Sequence, residues 1–460
     1  MIIMKFGGTS VEDAAAIKNI TAIVRKEIPR RPVVIVSACA GVTNQLLKTA
    51  ALASKGKKDD ALQNVAAIEG RHKNIAKELF DADTAKFLFK HIAVFAEELA
   101  ALVNGVVILG ELTPRSLDTF ASYGERMSSF IIHHYFEACK LRSFLVDARS
   151  FMVTDDQFTK ALPLFDVVER KLREIVQPKI ENNYIVLTQG FIGSTQSGIT
   201  TTIGRGGSDY TAAIVGSLLD AEDIQIWTDV DGILTSDPSI VDNAKKIKVM
   251  SFNEAAELAY FGARVLHPET ILPAVKKDIP VHVLNSRRPE STGTLIIAKP
   301  RVNSECVVKS IAYKEGITLI SIVSTRMFLA HGFLEHVFDV FHKYETVVHT
   351  VATSEVSISA TIDNVENLGL ILQELKTFST VSVSDRKAIV CVVGENLKNS
   401  PGVAAKVLGS ITDFNVNMIS QGASEINISF VIDEEHVDEV VRRLHKDFFS
   451  DVKHLTEIFE

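Results

Sequence analysis

The chain has 460 residues, of which 46% are hydrophobic and 23% charged, and its formal net charge is −8. This length predicts roughly two to four globular domains. The net negative charge and the scattered Lys and Arg residues argue against a nucleic-acid partner. The four cysteines are far apart and form no CxxC pair, so we expect no disulfides. We see no signal peptide and no unbroken run of about 18 apolar residues, which predicts a cytoplasmic protein without a membrane partner.

Short apolar runs rich in β-formers alternate with longer helical patterns over residues 1–295. Strands that are buried on both faces read as near-continuous runs of Val, Ile and Leu, so the alternation predicts an α/β domain with an open, mostly parallel sheet. The expected strands are residues 2–6, 32–37, 143–147, 184–189, 223–228 and 280–284. The expected helices include residues 10–26, 124–139, 209–219 and 253–261.

An internal repeat occupies the C-terminal part of the chain. Residues 317–363 align with residues 387–433 without a gap, so that Gly332 falls on Gly402. Each copy reads strand, loop, helix, strand, strand, helix, an order that is typical of a ferredoxin-like βαββαβ unit. In the first copy, the expected elements include a helix at 333–343 and a strand at 346–352. We predict domains at 1–295, 305–380 and 381–460, and leave open whether the two repeat units interleave.

The first glycine-rich segment, KFGGTS, ends a strand and opens a helix. Gly7 and Gly8 allow the backbone to approach a phosphate, whose charge is favoured by free N–H groups and a helix N-terminus. Lys5 could bridge transferring phosphates as a point charge. A plain strand–turn–helix connection with Ser10 as the N-cap is the alternative. Neither a GxxxxGK[ST] loop nor the HRD and DFG motifs of protein kinases are present.

The second glycine-rich segment, GRGGSD, precedes a predicted helix. Arg205 could hold a carboxylate through two parallel hydrogen bonds, and Asp209 could hold an ammonium group or the lysine. A flexible loop in which Asp209 caps the helix is equally open.

Two further acidic positions lie at expected element ends. Taken alone, Glu125 is expected to be a solvated carboxylate that favours a helix dipole. The segment WTDVDG ends a strand, where open α/β sheets bind ligands, so Thr228 and Asp229 could hold ribose or phosphate. A simple β-turn is the alternative there. The thirteen histidines show no metal-ligand spacing and are expected to be structural or at the surface.

The motifs together form a specific set. They are MKFGGTS, VVIVSACAGVTNQLL, SYGERMSS, TQGFIGS, TTIGRGGSDYTAA, IWTDVDGILTSDP and FGARVLHPET, in this order. The set resembles the aspartokinases of the amino-acid kinase superfamily, and TSEVSIS and QGASEINISFVI resemble the two ACT domains of that family. The resemblance covers essentially the whole chain. It implies a regulated kinase that converts ATP and L-aspartate into ADP and 4-phospho-L-aspartate, the first step towards lysine, threonine and methionine.

The resemblance also implies roles for individual residues. Lys5 and Asp209 are expected to be catalytic. The expected substrate-binding residues are Ser37, Thr43, Glu125, Arg205, Gly206, Gly207 and Ser208. The expected ATP-binding residues are Lys5, Phe6, Gly7, Gly8, Thr228, Asp229, Leu234, Ser239, Arg264 and Val265. Related enzymes often carry Tyr, Arg and Lys where this chain has Leu234, Ser239 and Arg264, so we expect different side-chain contacts to ATP. Mg²⁺ is expected on the ATP phosphates, without a metal site of the protein.

The first ACT domain is expected to bind a pathway end product at a dimer interface, within a homodimer or higher homo-oligomer. The expected effector residues are Met327, Ala330, Gly332, Phe333, Leu334, Val347, Val348 and His349. Lysine is the leading effector. Lysine-sensitive relatives often have Asp at the position of His349, where a carboxylate would attract the ammonium group of lysine. His349 weakens that attraction, so threonine is the rival.

Two other functions compete with this one. A kinase for glutamate or acetylglutamate predicts no paired ACT repeat, whereas this chain has the repeat. An amino-acid sensor with a decayed kinase half predicts loss of Lys5, Arg205 or Asp209, and all three are present.

Overall fold

The computed structural model describes residues 1–204, 206–261, 268–300, 308–324, 332–450 and 458–460. The chain divides into two compact units. Unit 1 comprises Met1–Ile233, Lys248–Phe252 and Val265–Pro300, and unit 2 comprises Leu234–Ile247, Asn253–Arg264 and Arg301–Glu460. Two segments that precede residue 265 in sequence therefore belong to the C-terminal unit. The domain limits that the sequence suggests, near residues 295 and 380, stay predictions.

Unit 1 is built on parallel strands. Its strands are β1 (Ile2–Phe6), β2 (Pro32–Val36), β3 (Ser143–Val146), β4 (Val153–Thr154), β5 (Ile185–Gln189), β6 (Ile192–Thr195), β7 (Thr200–Thr202), β8 (Asp223–Thr228), β9 (Val249–Ser251), β10 (Val281–Asn285) and β11 (Thr294–Ile297). An eight-stranded sheet has the order β3-β5-β2-β1-β8-β10-β11-β9, in which only β10 and β11 pair antiparallel. A second sheet has the order β4-β6-β7. Strands β1, β2 and β5 are buried along their whole length, which confirms the predicted mostly parallel sheet.

Ten helices begin within the described part of unit 1. They are α1 (Ala14–Glu27), α2 (Val42–Ser54), α3 (Lys58–Leu79), α4 (Ala82–Leu109), α5 (Pro114–Ala138), α6 (Phe165–Lys171), α7 (Gln177–Glu181), α8 (Gly207–Leu218), α9 (Phe252–Tyr260) and α10 (Pro268–Lys276). Apolar side chains of α1 to α5 share one core with β1 and β2. After Phe252, α9 belongs to unit 2.

Helix α4 is long and apolar enough to cross a membrane by length and composition alone. Its buried side chains recur every three or four residues, as at Leu88, Ile92, Leu99 and Val103, and they pack into the core that β1 and β2 share. Burial along one face is typical of a helix on the surface of a globular core.

Unit 2 is built on one antiparallel sheet. Its strands are β12 (Val308–Val323), β13 (Val351–Thr353), β14 (Ser357–Ile362), β15 (Thr380–Gly394), β16 (Met418–Gln421) and β17 (Asn427–Asp433), and its further helices are α11 (Phe333–Lys343), α12 (Leu368–Leu375), α13 (Val403–Gly409) and α14 (Val437–Phe449). The sheet order is β13-β14-β12-β15-β17-β16.

The two long central strands of unit 2 serve both repeats. The end of β12 pairs with β14 and with the start of β15, whereas the start of β12 pairs with the end of β15, next to β17. The pairing register shifts between Lys314 and Ile317, where the two halves of β12 meet. The first repeat is therefore inserted between strands of the second.

Three local predictions differ from the structure. The helix that was expected from residue 124 begins at Pro114, because Thr113 accepts a hydrogen bond from the Ser116 amide and proline suits the first helical turn. Ser10 does not cap α1: Asp13 does, by accepting from the amide of Ala16 at 2.8 Å. The strand that was expected over 346–352 is reduced to β13.

Candidate active site

A cavity of about 380 Å³ opens in unit 1 where β1, the loop after β2, α5 and the start of α8 converge. Such a position, at the carboxyl ends of parallel strands, is where open α/β sheets bind ligands. Nine residues that the motifs single out line this cavity: Lys5, Gly8, Ser37, Thr43, Glu125, Gly206, Gly207, Ser208 and Asp209. The cavity therefore collects basic, acidic and hydroxyl groups from segments that are far apart in sequence.

Lys5 and Asp209 form an ion pair across the cavity. Lys5 is the fourth residue of β1 and is 8% exposed. Its Nζ lies 2.6 Å from Oδ1 of Asp209, which stands in the first turn of α8. Gly206 occupies the N-cap position of α8, so the interpretation of Asp209 as a simple helix cap is wrong. The pair places a cation between a carboxylate and the glycine-rich turn that follows β1.

Glu125 is buried in the middle of α5 and is 2% exposed, so the expectation of a solvated carboxylate is wrong. Its Oε1 accepts a hydrogen bond from the amide of Ala38 at 3.1 Å, and no donor among the described residues binds Oε2. Burial raises the pKa of Glu125 to about 8, because a charged carboxylate loses its hydration there.

Gly124 explains how Glu125 reaches the cavity. A Cβ at Gly124 would lie 2.6 Å from the Cβ of Ala38, closer than two carbon atoms can pack. Glycine at this position therefore lets α5 approach the loop after β2, and the Glu125 carboxylate meets the Ala38 amide.

Hydroxyl groups join the loop after β2 to the start of α8. The Ser37 hydroxyl donates to Ser208 Oγ at 3.0 Å, and the Ser37 amide donates to the carbonyl of Phe6 at 3.1 Å. The hydroxyl of Ser128 on α5 donates to the Ser37 carbonyl at 2.7 Å. Thr43 lines the cavity from the first turn of α2.

Several residues that are expected to bind the nucleotide lie outside the cavity. Gly7 donates its amide to the carbonyl of Trp227 at 3.0 Å, which sets the turn after β1 beside the end of β8. Thr228 ends β8, and its hydroxyl donates to Asp229 Oδ1 at 3.1 Å. Among the described residues, Phe6, Gly7, Thr228 and Asp229 do not line the cavity.

Other expected residues lie in unit 2 or outside the described residues. The carbonyl of Leu234 accepts from the Ser310 hydroxyl at 2.9 Å, and the Ser239 hydroxyl donates to Asp237 at 2.6 Å. The remaining expected residues, Arg205, Arg264, Val265, Met327 and Ala330, lie outside the described part of the chain.

The described effector residues lie around the start of α11 and just before β13. Gly332 precedes α11 with a φ of +85°, and Phe333 and Leu334 begin that helix. Val347 is 63% exposed, whereas Val348 packs against the apolar core of the first repeat.

His349 is the centre of a polar network in unit 2. Its Nδ1 lies 2.8 Å from the Tyr260 hydroxyl, and its Nε2 lies 2.9 Å from Oδ1 of Asp363. Lys314 Nζ lies 2.7 Å from Oδ2 of the same carboxylate. Burial opposes ionisation of Asp363, but hydrogen bonds from Lys314 and His349 outweigh it and lower its pKa to about 2. Tyr260 belongs to none of the motifs, so its contact with His349 could not be predicted from them.

Comparisons with known proteins decide the family. Residues 1–285 match the amino acid kinase family, and residues 390–448 match an ACT domain. The lysine-sensitive aspartokinase 3 of Escherichia coli K12 is 36% identical over 464 residues, which cover 98% of this chain and 99% of that protein. The chain belongs to the aspartokinase family. It is therefore an ATP-dependent phosphotransferase with a carboxyl group as acceptor.

Solved structures agree with this assignment. The crystal structure of E. coli aspartokinase III with aspartate and ADP matches with a TM-score of 0.85 and 34% identity, over 98% of this chain and all of that one. The structure of the same enzyme with lysine and aspartate matches with a TM-score of 0.80 and 34% identity, over the same shares of the two chains. The predicted architecture of an aspartokinase, a kinase domain followed by ACT domains, is confirmed.

Proposed function

We propose that this protein is a regulated aspartate kinase, which converts ATP and L-aspartate into ADP and 4-phospho-L-aspartate. The observation that carries the proposal is the Lys5–Asp209 ion pair in one cavity with the buried Glu125 carboxylate. A cation next to two acidic side chains suits an amino-acid substrate that brings an ammonium group and a nucleotide that brings the phosphoryl group. This phosphorylation of aspartate is the first step towards lysine, threonine and methionine, and we propose that it takes place in the cytoplasm.

The reaction requires alignment and charge neutralisation more than proton transfer. The side-chain carboxyl of aspartate has a pKa of about 3.9, so it is ionised at neutral pH and can attack without a general base. A carboxylate oxygen forms a bond to the γ-phosphorus while the bond from that phosphorus to the ADP oxygen breaks. The protein then has to align the two substrates and neutralise the charge of the phosphoryl group.

The α-ammonium and α-carboxylate groups of aspartate each have a proposed partner. Glu125, whose Oε2 has no donor among the described residues, and Asp209 receive the α-ammonium group. Lys5 stabilises the negative charge of the phosphoryl group in transfer. Arg205 binds the α-carboxylate, beside Gly206, Gly207 and Ser208, and Ser37 and Thr43 close the loop over the substrate.

The turn after β1 suits nucleotide phosphates. A Cβ at Gly7 would lie 3.5 Å from Lys5 Nζ, so glycine leaves the space around the ammonium group open. We propose that Lys5, Phe6, Gly7 and Gly8 face the phosphates. The other proposed nucleotide contacts are Thr228, Asp229, Leu234, Ser239, Arg264 and Val265.

Mg²⁺ is the proposed cofactor, bound to the ATP phosphates, whose charge it neutralises. Throughout the described residues, no three side chains of His, Cys, Asp or Glu cluster closely enough to hold a metal ion by themselves. In this proposal the nucleotide supplies most of the metal's ligands.

Lysine is the proposed effector, and threonine is the alternative. One solved relative binds lysine, and a curated relative is lysine-sensitive by name. The proposed site uses Met327, Ala330, Gly332, Phe333, Leu334, Val347, Val348 and His349. Leu334 and Val347 are 44% and 63% exposed in the single chain, which supports a second copy of the chain as the partner across this surface.

The catalytic proposal is tested by ADP release with Mg-ATP and a panel of acceptors. Aspartate should support turnover, whereas glutamate and N-acetylglutamate should not. Turnover with glutamate in place of aspartate would overturn the proposed substrate, and a folded protein that releases no ADP with any acceptor would favour the sensor alternative.

The effector proposal is tested at His349. His349→Asp should tighten inhibition by lysine, because a carboxylate attracts the effector's ammonium group. His349→Asn is the matched control, because asparagine has nearly the same shape as aspartate but no charge. Both variants remove the imidazole contacts to Tyr260 and Asp363. Equal inhibition of the two variants would remove the charge argument, and inhibition by threonine alone would replace lysine as the effector.

A further inference from the structure

Arg71 lies on α3, outside the groups that the proposed function uses, and binds two backbone carbonyls at once. Its Nη1 donates to the carbonyl of Ala40 at 2.6 Å, and its Nη2 donates to the carbonyl of Glu12 at 3.0 Å. Ala40 belongs to the loop after β2 that lines the cavity, and Glu12 follows the turn that ends β1. One guanidinium group therefore links the loop after β2 to the segment that follows the turn after β1.

The loop and the turn also contact each other directly. The amide of Ala40 donates to the carbonyl of Gly8 at 3.1 Å. A Cβ at Gly8 would lie 3.0 Å from the carbonyl oxygen of Ala38, so the two segments pack as closely as glycine allows. Ala40 is thus fixed at both of its polar backbone groups, by Gly8 at the amide and by Arg71 at the carbonyl.

The direction of the Ala40 carbonyl sets the direction of the next amide. In a trans peptide the C=O and the following N–H point to opposite sides, and the described residues contain no cis peptide bond. Because the Ala40 carbonyl points towards Arg71 on α3, the Gly41 N–H points away from that helix. Gly41 lines the cavity, and among the described residues no acceptor binds its N–H.

We propose that Arg71 is a positioning residue, which turns the Ala40–Gly41 peptide so that the Gly41 N–H serves as a donor to an anionic oxygen in the cavity. That oxygen belongs either to a carboxylate of the bound amino acid or to the phosphoryl group in transfer. The inference rests on the proposed kinase function and deepens it. A fixed backbone donor stabilises developing negative charge without reorganising during the reaction.

The surroundings of Arg71 separate this role from a structural one. Arg71, Glu12 and Asn74 also line an open cavity of about 600 Å³. Water from that cavity can hydrate the two carbonyls when the guanidinium is removed, so the fold should survive its loss. Water can hydrogen bond to the two carbonyls, but it does not fix their orientation. The planar guanidinium group does so, because it binds both carbonyls at once.

The test compares Arg71→Met, Arg71→Lys and Arg71→Ala with a control on the same helix. Lys73→Met is the control, since Lys73 pairs only with Glu69 on α3, at 2.6 Å, among the described residues. Steady-state kinetics, thermal unfolding and calorimetric binding of aspartate without nucleotide are measured for each. We expect kcat/KM for aspartate to fall by about 10- to 100-fold in Arg71→Met, with a thermal midpoint close to that of the wild type.

The kinetic pattern identifies the oxygen. A fall in kcat/KM that is matched by weaker aspartate binding, with kcat unchanged, assigns the donor to the carboxylate. A fall in kcat with unchanged binding assigns it to the phosphoryl group. In both cases free guanidinium ion should restore part of the activity of Arg71→Ala, and Arg71→Lys should restore less than arginine itself.

Three outcomes would overturn the inference. They are wild-type kinetics in Arg71→Met, an equal loss in Lys73→Met, and a loss that follows thermal stability and that guanidinium does not restore. Failure of the proposed function is a separate result, because it would appear as absent turnover in the wild-type protein.

Discussion

The ammonium nitrogen of Lys5 lies 2.6 Å from the Oδ1 atom of Asp209, with side chains that are only 10% and 13% exposed. The two residues are brought together by the fold alone, since one lies near the end of the first strand and the other in the first turn of α8. The ammonium group is therefore held in position by one carboxylate before the substrates arrive. In the proposed mechanism it stabilises the phosphoryl group that aspartate receives.

Lys5→Met should lower kcat/KM by at least about 100-fold, because it removes a preorganised positive charge from the site of transfer. Binding of the effector to unit 2 should stay at the wild-type level. The measurement is steady-state ADP release together with calorimetric titration of the effector. Lys18→Met on α1 is the control, since Lys18 is exposed and should tolerate the change. Activity within a few-fold of the wild type would remove Lys5 from the mechanism.

Aspartate binding at pH 7 should release protons into solution. Glu125 has a pKa of about 8 in the free protein, so its carboxyl holds a proton at pH 7, and the arriving ammonium group favours the ionised form. The measurement is the heat of aspartate binding in two buffers with different ionisation enthalpies, which should indicate release approaching one proton. The release should vanish in Glu125→Gln and decline above pH 8. Buffer-independent heats in the wild type would contradict the role of Glu125.

Glu125→Gln should stabilise the protein at alkaline pH while it weakens aspartate binding. The folded carboxyl titrates near pH 8 and the unfolded one near 4.5, so the folded state holds an extra proton between these values. The wild type therefore loses stability as pH rises through this window, by a few kcal/mol as an order of magnitude. Thermal unfolding from pH 5 to pH 9 measures the difference, which should grow with pH.

Glu97→Gln is the control for the Glu125 experiment. Glu97 lies on α4 with an exposed side chain, so its replacement should leave the pH profile unchanged. A Glu125→Gln profile that runs parallel to the wild type at all pH values would show that the Glu125 carboxyl titrates normally.

Lys309→Met should destabilise unit 2 strongly. Lys309 is fully buried at the start of β12, and its Nζ lies 2.8 Å from Oε2 of Glu254, whose side chain is 1% exposed. Removing the lysine breaks this ion pair to a buried carboxylate, which costs about 3–5 kcal/mol. Thermal unfolding measures the loss. The double variant Lys309→Met with Glu254→Leu should recover most of it, and a double variant less stable than the single one would contradict this account.

The sequence predicts elements well where burial alone defines them. The bounds of β1, β8 and α11 match the predicted ranges, since continuous apolar runs and a strong amphipathic pattern leave little ambiguity. The start of α5 was missed because its first turns carry polar residues and the glycine at 124 suggests a boundary. That glycine is retained inside the helix for close packing against Ala38.

Long-range relations had no local signal. The segment 234–247 belongs to unit 2 partly through the hydrogen bond between Thr235 and His445, which are 210 positions apart. Arg71 contacts carbonyls that are 31 and 59 positions away, and backbone carbonyls carry no side-chain identity that a motif could reveal. Motifs identified Lys5 and Asp209, whereas the burial that sets the chemistry of Glu125 needed the fold.

Trapping the product with hydroxylamine tests whether the phosphoryl group is transferred to the side-chain carboxylate of aspartate. Wild-type protein with Mg-ATP and L-aspartate should form the β-hydroxamate of aspartate in step with ADP, and none with glutamate, as measured by mass spectrometry. Lys5→Met should form almost none. An α-hydroxamate, a hydroxamate from glutamate, or ADP release without any hydroxamate would contradict transfer to the side-chain carboxylate of aspartate.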